Sequence, residues 1–399
     1  MGSVIEPPAS DSPDLLICQP TPEECVKIWS NTAASWKDSL TKIVYLDESQ
    51  YLTTVPLAKD GGMTNWVLVD RNHPPNQRQI LCSCESFRKR CLTSDKEGTI
   101  EEGIVHGVAS VFCPSEYRGR GYGARHMNEL AKVLREWQPG YGNSIGSILY
   151  SDIGTEYYAK PGWLPSPGNW HFVLPSAQTE VPVTARLILE SELETLCGRD
   201  EAMVRKAMAT PSRASKRVVV LPDLNHMLWH IRKEDFATNH ILGEIAEAKG
   251  AIAGAPGTQV WIVWVRRYYE HPDHPEQEDR DGVNVLYVLR LVIEADETAN
   301  KPHEDYLEPI SADIYVEQAA ALKSVLQAAQ AEAAKWRLDQ VQIWDPSPLA
   351  QSLLEKSGID ASRVERQTDS IASALWFTKG SDVRELSPQW INNEYYAWC

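Results

Sequence analysis

Residues 104–134, with the sequence IVHGVASVFCPSEYRGRGYGARHMNELAKVL, decide the fold because they join a strand to a helix through a glycine-rich loop. The apolar stretch Ile104–Cys113 predicts the strand. The helix is predicted by apolar residues at positions i, i+3, i+4 and i+7, namely Met127, Leu130, Ala131 and Leu134. In the loop RGRGYG, residues 118–123, three glycines free the backbone to turn its N–H groups toward one point. The helix N-terminus adds further unpaired N–H groups, so the unit is typical of a pyrophosphate cradle.

Other interpretations of the glycine loop depend on what surrounds it. On these residues alone, the loop can also be interpreted as a glycine-rich turn with a purely structural role. A dinucleotide-binding Rossmann unit would need a third glycine where His126 stands, and a parallel βαβ unit around it. Strand candidates at 65–70 and 80–88 precede the loop with no helix between them, which predicts an antiparallel meander instead. The P-loop signature GxxxxGK[ST] is absent from the sequence.

The composition excludes several classes of protein. Of 399 residues, 43% are hydrophobic and 24% are charged, as in an ordinary globular chain of two or three domains. The net charge of −16 would repel phosphate backbones and anionic lipids, so we expect neither a nucleic-acid nor a membrane partner. No apolar run approaches the roughly 18 residues that span a bilayer, and residues 1–14 lack the features of a secretory signal. We therefore expect a cytoplasmic protein.

The cysteines predict reduced thiols rather than disulfides or a metal site. Eight cysteines are present, none in a CxxC pair, and Cys82 and Cys84 alternate as residues of a strand would. His271 and His274 are residues of a metal-binding type, yet they stand among prolines and charges that are typical of a solvated loop. We expect no metal cofactor.

Composition shifts along the chain predict a short lead followed by two domains. Residues 1–19 are predicted as a flexible lead, residues 20–178 as the first domain and residues 183–399 as a second α+β domain. The stretch PSAQTEVPVT at 175–184 marks the boundary. Both halves present a strand, a long helix, a strand, a short helix followed by glycine, and a strand, without a shared sequence period. A repeated topology is therefore a hypothesis.

The glycine loop and its setting resemble the GNAT family of acetyl-CoA-dependent N-acetyltransferases. The hallmark of that family, R/Q-x-x-G-x-G/A between the fourth strand and the third helix, is matched by Arg118–Gly123. The resemblance covers residues 20–175 and implies an α+β GNAT fold, with a mixed, largely antiparallel sheet flanked by helices. It also implies acetyl-CoA as co-substrate. The second domain is expected to be a degenerate GNAT-like fold or another α+β fold.

A second family pattern is an aromatic residue followed four places later by glycine and another aromatic residue. The matching residues are Tyr158, Gly162 and Trp163. Two details depart from the family: Pro161 replaces an apolar residue, and one extra residue stands between Pro114 and Arg118. The extra residue leaves the register of the cofactor contacts uncertain by one position.

Four segments further resemble the fungal lysine N6-acetyltransferases, which acetylate the side-chain amine of free lysine during its breakdown. They are CESFRKRCL (84–92), VHGVASVFCPSEYRGRGYG (105–123), ILYSDIGTEYYAKPGW (148–163) and the terminal NEYYAWC (393–399). The resemblance implies that the amine of L-lysine attacks acetyl-CoA directly through a tetrahedral intermediate. The second domain would cover the substrate side, and without a glycine phosphate loop it should not bind a second CoA.

The same resemblance assigns roles to individual residues. Backbone N–H groups on the fourth strand would bind the thioester carbonyl, within Ser110, Val111, Phe112 and Cys113. The pyrophosphate would lie against Arg118, Gly119, Arg120, Gly121, Tyr122, Gly123 and Ala124, with Ser151 as a further cofactor contact. Tyr158 would be the general acid, with an aromatic side chain that packs under the cofactor as the competing interpretation. Tyr157 serves as its control because adjacent helix positions face different ways.

The general base is open at this stage. Two candidates are His106 on the fourth strand and the C-terminal carboxylate of Cys399. The alternatives are a chain of water molecules or one of four side chains: Glu85, Glu101, Glu102 and His171. For every candidate a structural or solvated role is the competing interpretation.

Three functions are compatible with these patterns. The first is acetylation of a small amine, with L-lysine as the leading acceptor and a polyamine, an aminoglycoside-like compound or a toxic amino-acid analogue as alternatives. The second is acetylation of a protein or peptide, and the third is CoA binding or scaffolding without catalysis. The intact glycine loop together with Tyr158 argues against the third. The sequence does not predict an oligomeric state.

Overall fold

The computed structural model describes residues 6–273, 284–294, 315–377 and 387–398, which form two mixed β-sheets flanked by helices. The helices are α1 Pro22–Trp36, α2 Lys42–Leu52, α3 Tyr122–Glu136, α4 Glu156–Ala159, α5 Leu193–Met208, α6 Leu224–Leu242, α7 Val316–Lys335 and α8 Pro348–Lys356. The first sheet consists of β1 Leu15–Cys18, β2 Met63–Asp70, β3 Cys82–Asp95, β4 Ile100–Phe112, β5 Asn143–Ser151, β6 Leu164–Pro165, β9 Lys216–Val220, β15 Ile371–Trp376 and β16 Gln389–Trp390. The second sheet consists of β7 Trp170–Pro175, β8 Ala185–Leu189, β10 Ala248–Ala253, β11 Val260–Arg267, β12 Val285–Ile293, β13 Gln340–Trp344 and β14 Ser362–Glu365.

The strand, loop and helix around the glycine motif form as their sequence predicts. Strand β4 covers the predicted strand except for its last residue, Cys113, and α3 follows with Gly121 as its N-cap. The apolar face of α3 is buried through Met127, Leu130 and Leu134, which pack in one cluster with Trp163. Strands β2, β3 and β4 pair antiparallel, so the predicted meander is confirmed.

The two halves of the chain share one topology. In the first half β4 and β5 are parallel neighbours, and α3 lies between them in the chain. In the second half β12 and β13 are parallel neighbours with α7 between them, after the antiparallel strands β10 and β11. The structure therefore has the repeated topology suggested by the element order, and the predicted α+β class is correct.

The two halves exchange strands between the sheets: β9, β15 and β16 of the second half lie in the first sheet, and β7 of the first half lies in the second sheet. Strand β15 lies between β5 and β6, while β7 lies between β13 and β14. The predicted first domain includes β7, yet this strand belongs to the second sheet. Backbone hydrogen bonds thus link residues on both sides of 175–184, and the division into residues 20–178 and 183–399 stays a prediction. Within the predicted lead, Leu15–Cys18 are built into the first sheet as β1, paired with β2.

A buried ion-pair group holds the last segment of the chain. Arg290 on β12 donates two hydrogen bonds of 2.8 and 2.9 Å to the carboxylate of Asp200 on α5, and it also pairs with Glu394. All three side chains are almost completely buried. Burial raises the pKa of Glu394 to about 7. The arginine therefore neutralises two carboxylates that are withdrawn from water.

Three further features bear on the sequence predictions. The seven cysteines within the described ranges are free thiols, while Cys399 lies outside the described residues. No three His, Cys, Asp or Glu side chains of the described part cluster as metal ligands would, and His274 falls outside it. Among the described helices, none has the length and apolar character needed to cross a bilayer.

Candidate active site

Strands β4 and β5 pair over only part of their length. Their parallel ladder runs from Gly103 to Val108 on β4, whereas β4 continues to Phe112. Ser110 has a φ of 53°, in the left-handed region, and the register of β4 against β3 shifts by one residue at this point. The shift is a β-bulge. Beyond Val108 the edge of β4 that faces β5 takes no part in their ladder, so its backbone N–H and C=O groups can bind a ligand.

A cavity of about 200 Å³ opens where the two strands separate. Its β4 wall is Val108–Val111, and Tyr158 of α4 lines it near the end of β5. Helix α2 presents the residues of one face, spaced i, i+3, i+4 and i+7: Tyr45, Glu48, Ser49 and Leu52. Residues from the second half of the chain complete the wall: Trp229, Lys233, Arg267 and Trp398.

Glu85 on β3 is the carboxylate beside the bulge. It lines the cavity and accepts a hydrogen bond of 3.1 Å from the Ser110 hydroxyl. Burial raises the pKa of Glu85, because an ionised carboxylate is disfavoured away from water. A carboxylate with a raised pKa is a stronger base, so Glu85 can accept a proton from a group held at the edge of β4.

Tyr158 and Tyr157 point to different surroundings, as their adjacent positions predict. Tyr158 is 8% exposed and lines the cavity, and burial raises its pKa. Tyr157 is 38% exposed and lies against the glycine loop, with its hydroxyl 2.3 Å from the point that a Cβ on Gly123 would occupy. Tyr158 therefore keeps its proton at neutral pH and faces the cavity, whereas the Tyr157 hydroxyl meets the loop.

The glycine loop has the backbone geometry that an anion cradle needs. Gly119 and Gly121 have φ values of 74° and 86°, which residues with side chains rarely adopt. No side chain caps α3, because its N-cap is Gly121, so the N–H groups of its first turn can bind an anion. Arg118 is tied to the base of the loop, where its Nε donates to the carbonyl of Cys113 at 2.9 Å. These residues fit the pyrophosphate of a CoA molecule.

The first described residues of the chain contact this loop. Glu6 pairs with Arg120, and the Tyr122 hydroxyl donates to the carbonyl of Pro8 at 2.7 Å. The Ser10 hydroxyl lies 2.6 Å from the point that a Cβ on Gly121 would occupy. The stretch from Glu6 to Ser10 thus shares the surface predicted to receive the pyrophosphate, a contact that the sequence did not indicate.

Several predicted site residues lie elsewhere. His106 is fully buried on β4 near Ser144 and does not line the cavity, and burial lowers its pKa to about 4. His171 lies on β7 in the second sheet. The hydroxyl of Ser151 is used locally, since it donates to the carbonyl of Gly154 at 2.7 Å.

The remaining predicted residues divide between the cavity and its surroundings. Ser110 and Val111 line the cavity, whereas Phe112 is the last residue of β4 and Cys113 follows it on the way to the glycine loop. Ala124 is exposed in the first turn of α3. Glu101 and Glu102 are exposed near the start of β4, far along the strand from the bulge. Cys399 lies outside the described residues, and Trp398 before it lines the cavity.

Sequence reasoning missed the charged residues on the far walls. Glu48, Lys233 and Arg267 come from α2, α6 and the end of β11, which are distant in sequence from the glycine loop. One local signal for α2 was present: the side chain of Thr41 caps the helix by accepting from the Val44 N–H. Nothing in the sequence indicates that these elements meet at one cavity.

The chain is similar to one family and to a few curated proteins. Residues 170–399 match the family model described as the LYC1 GNAT-like C-terminal domain. An uncharacterized protein of Saccharomyces cerevisiae is 25% identical over 225 residues, which are 48% of this chain and 51% of that protein. A lysine acetyltransferase of Yarrowia lipolytica is 26% identical over 98 residues, which are 21% of this chain and 25% of that protein. The alignments thus span about half and about a quarter of these relatives.

Solved structures with a similar course of the chain include two acyltransferases. A GCN5-related N-acetyltransferase from Kribbella flavida aligns with a TM-score of 0.46 and 16% identity, over 91% of this chain and 70% of that one. The N-myristoyltransferase of Saccharomyces cerevisiae with bound myristoyl-CoA and inhibitors aligns with a TM-score of 0.49 and 9% identity, over 92% of this chain and 80% of that one.

Proposed function

Since this chain belongs to the family of the LYC1 GNAT-like C-terminal domain, we propose that it is an acetyl-CoA-dependent N-acetyltransferase that acts on the side-chain amine of free L-lysine. The main support for the proposal is the cavity where β4 and β5 separate. It brings a partly buried carboxylate, Glu85, and a buried phenol, Tyr158, to the open edge of one strand. An acyl transfer to an amine needs a proton acceptor, a proton donor and backbone donors at one place.

We expect the glycine loop and the open edge of β4 to bind the donor substrate, acetyl-CoA. Acetyl-CoA supplies the activated acetyl group as a thioester. The pyrophosphate would be bound by the N–H groups of residues 118–124 at the start of α3. Backbone N–H groups within Ser110–Cys113 would stabilise the negative charge that develops on the carbonyl oxygen.

Glu85 is the proposed proton acceptor. A free amine with a pKa near 10.4 is neutral in only about one molecule in a few thousand at pH 7, so the bound ammonium must lose a proton. The raised pKa of Glu85 brings it closer to the pKa of the ammonium group that must lose its proton. The hydrogen bond from Ser110 fixes the carboxylate beside the bulge. We therefore assign to Glu85 the role that we first considered for His106 and Cys399.

Tyr158 is the proposed donor to the departing thiolate. Its hydroxyl stays protonated because burial raises its pKa, and it lines the cavity. Tyr157 is the matched control, since its hydroxyl contacts the glycine loop rather than the cavity. Loss of the hydroxyl at 158 should slow turnover, while the same loss at 157 should affect cofactor binding at most.

Lysine as the acceptor has two supports. The relative from Yarrowia lipolytica that aligns with part of this chain is named a lysine acetyltransferase. The cavity also carries side chains of both signs, including Glu85 and Lys233, which suits an amino acid better than a polyamine. Another small amine is the second candidate, and a protein or peptide is the third.

The experiment is acetyl-CoA turnover followed by thiol release against lysine, ornithine, spermidine, an aminoglycoside and a histone-tail peptide. Mass spectrometry of the product locates the acetyl group. We expect the highest kcat/KM for lysine, with the acetyl group on the side-chain nitrogen. Turnover of the peptide alone, or acetylation of the lysine α-amine, would overturn the lysine assignment.

A further inference from the structure

One end of the cavity is lined by four residues that do not belong to the reacting strands. Glu48, Lys233, Arg267 and Trp398 line both the main cavity and a neighbouring space of about 40 Å³. Within the described chain, no residue of β4 or β5 lines that neighbouring space. These four residues therefore line the end of the cavity that adjoins the neighbouring space, and we call them the distal end.

One carboxylate oxygen at the distal end can accept a hydrogen bond from a cationic ligand. Glu48 is 1% exposed, and its Oε2 accepts from Lys233 Nζ at 2.7 Å. Its other oxygen, Oε1, is buried and has no hydrogen-bond partner among the described residues. A buried polar atom without a partner costs free energy unless a ligand or water satisfies it. An ammonium group of a bound molecule would satisfy it.

Two cations line the same end of the cavity as that carboxylate. Lys233 has three N–H donors, of which Glu48 engages one. Arg267 binds the carboxylate of Asp38 through two hydrogen bonds of 2.9 and 3.2 Å, and its guanidinium lies 5.0 Å from the ring of Trp398. The ion pair and the ring fix the plane of the guanidinium, so a ligand carboxylate meets preorganised donors.

We propose that the distal end recognises the α-amino-acid head of the acceptor, with Lys233 and Arg267 binding its α-carboxylate and Glu48 binding its α-ammonium. This inference rests on the proposed function, because it takes the reacting amine to be at the other end of the molecule, beside Glu85. The site then selects a free α-amino acid with an amine at the end of its side chain. It discriminates against a simple diamine and against a lysine within a polypeptide, which both lack the free α-carboxylate.

The test compares L-lysine with 1,5-diaminopentane, which has the same two amines and chain but no carboxylate. The wild-type enzyme should acetylate lysine with the higher kcat/KM. Substitution Lys233→Met should lower the ratio of the two kcat/KM values about 10- to 100-fold, the loss expected for one hydrogen bond between charged groups. The change should appear mainly in KM for lysine. The exposed control Lys132→Met on α3 should leave the ratio unchanged.

Lys233→Met leaves the buried Glu48 without its cation, which can destabilise the fold. The double variant Lys233→Met with Glu48→Gln removes both charges and should show the same reduced ratio in a folded protein, as measured by circular dichroism. Lys233→Arg keeps the charge and should restore most of the preference. Equal losses for lysine and the diamine in folded variants would overturn this inference while leaving lysine acetylation intact. Failure of the wild-type enzyme to acetylate either amine would instead overturn the proposed function.

Discussion

The substitution Glu85→Gln removes the proposed proton acceptor but keeps the hydrogen bond that positions the side chain. Glutamine keeps the size of the side chain and an oxygen that can accept a hydrogen bond from the Ser110 hydroxyl. In the wild-type protein this bond to the Glu85 carboxylate is 3.1 Å long. It cannot accept a proton, so the variant should react only with acceptor molecules that arrive neutral. At pH 7 these are about one in a few thousand for an amine of pKa 10.4, so kcat/KM should fall about 10²- to 10⁴-fold.

The pH dependence of kcat/KM tests the role of Glu85 more specifically than the rate at one pH. In the wild-type enzyme Glu85 is active when ionised, so kcat/KM should rise through its raised pKa and then level off. In the variant the rise should continue at about tenfold per pH unit toward pH 10, because only the neutral amine reacts. Stopped thiol-release assays between pH 6 and 10 give both profiles.

The matched control for this experiment is Glu101→Gln. Glu101 is exposed on the same strand hairpin, near the start of β4, and was itself a candidate base from sequence. The control should leave both the rate and the profile unchanged. A Glu85 variant that loses less than tenfold and keeps the wild-type profile would refute the assignment of Glu85 as proton acceptor.

Three further perturbations follow from the structure. Tyr158→Phe should lower kcat at least tenfold, whereas Tyr157→Phe should keep kcat near the wild-type value; equal effects in steady-state assays would contradict the assignment of the donor. Gly121→Val should weaken CoA binding measured by calorimetry, because valine does not adopt a φ of 86°. Its control Gly198→Ala, in a helix with open space around the added Cβ, should keep CoA binding and raise the free energy of unfolding by about 1 kcal/mol. Arg290→Met should lower the free energy of unfolding in urea by about 3–5 kcal/mol, since it leaves two buried carboxylates without a cation; a loss below about 1 kcal/mol would contradict the neutralising role.

The parts of the site that follow from sequence are those built from neighbouring residues. The glycine loop is contained in Arg118–Gly123, and its strand and helix are defined by local periodicity, so both the loop and its elements could be predicted. Tyr158 and Tyr157 could be separated because adjacent helix positions diverge. These predictions needed no knowledge of which distant elements meet.

The parts that could not be predicted depend on contacts between distant segments. Apolar stretches such as β7 and β15 are recognisable as strands, but their composition does not state which sheet they join, so their exchange between the halves was missed. His106 was considered because it lies on β4, yet it precedes Val108 by two residues and lies below the point where the cavity opens. Glu48 and Lys233 become a pair only when α2 and α6 pack together.

We propose that one cavity, where β4 and β5 separate, receives both the thioester and the amino acid. A crystal structure of the protein with CoA and L-lysine bound would show directly where both molecules lie. We predict that the pyrophosphate contacts the N–H groups at Gly121–Gly123, that the sulfur lies near Tyr158, and that the lysine side-chain nitrogen faces Glu85. CoA bound away from the glycine loop, or lysine bound outside this cavity, would refute the assignment of this cavity as the active site.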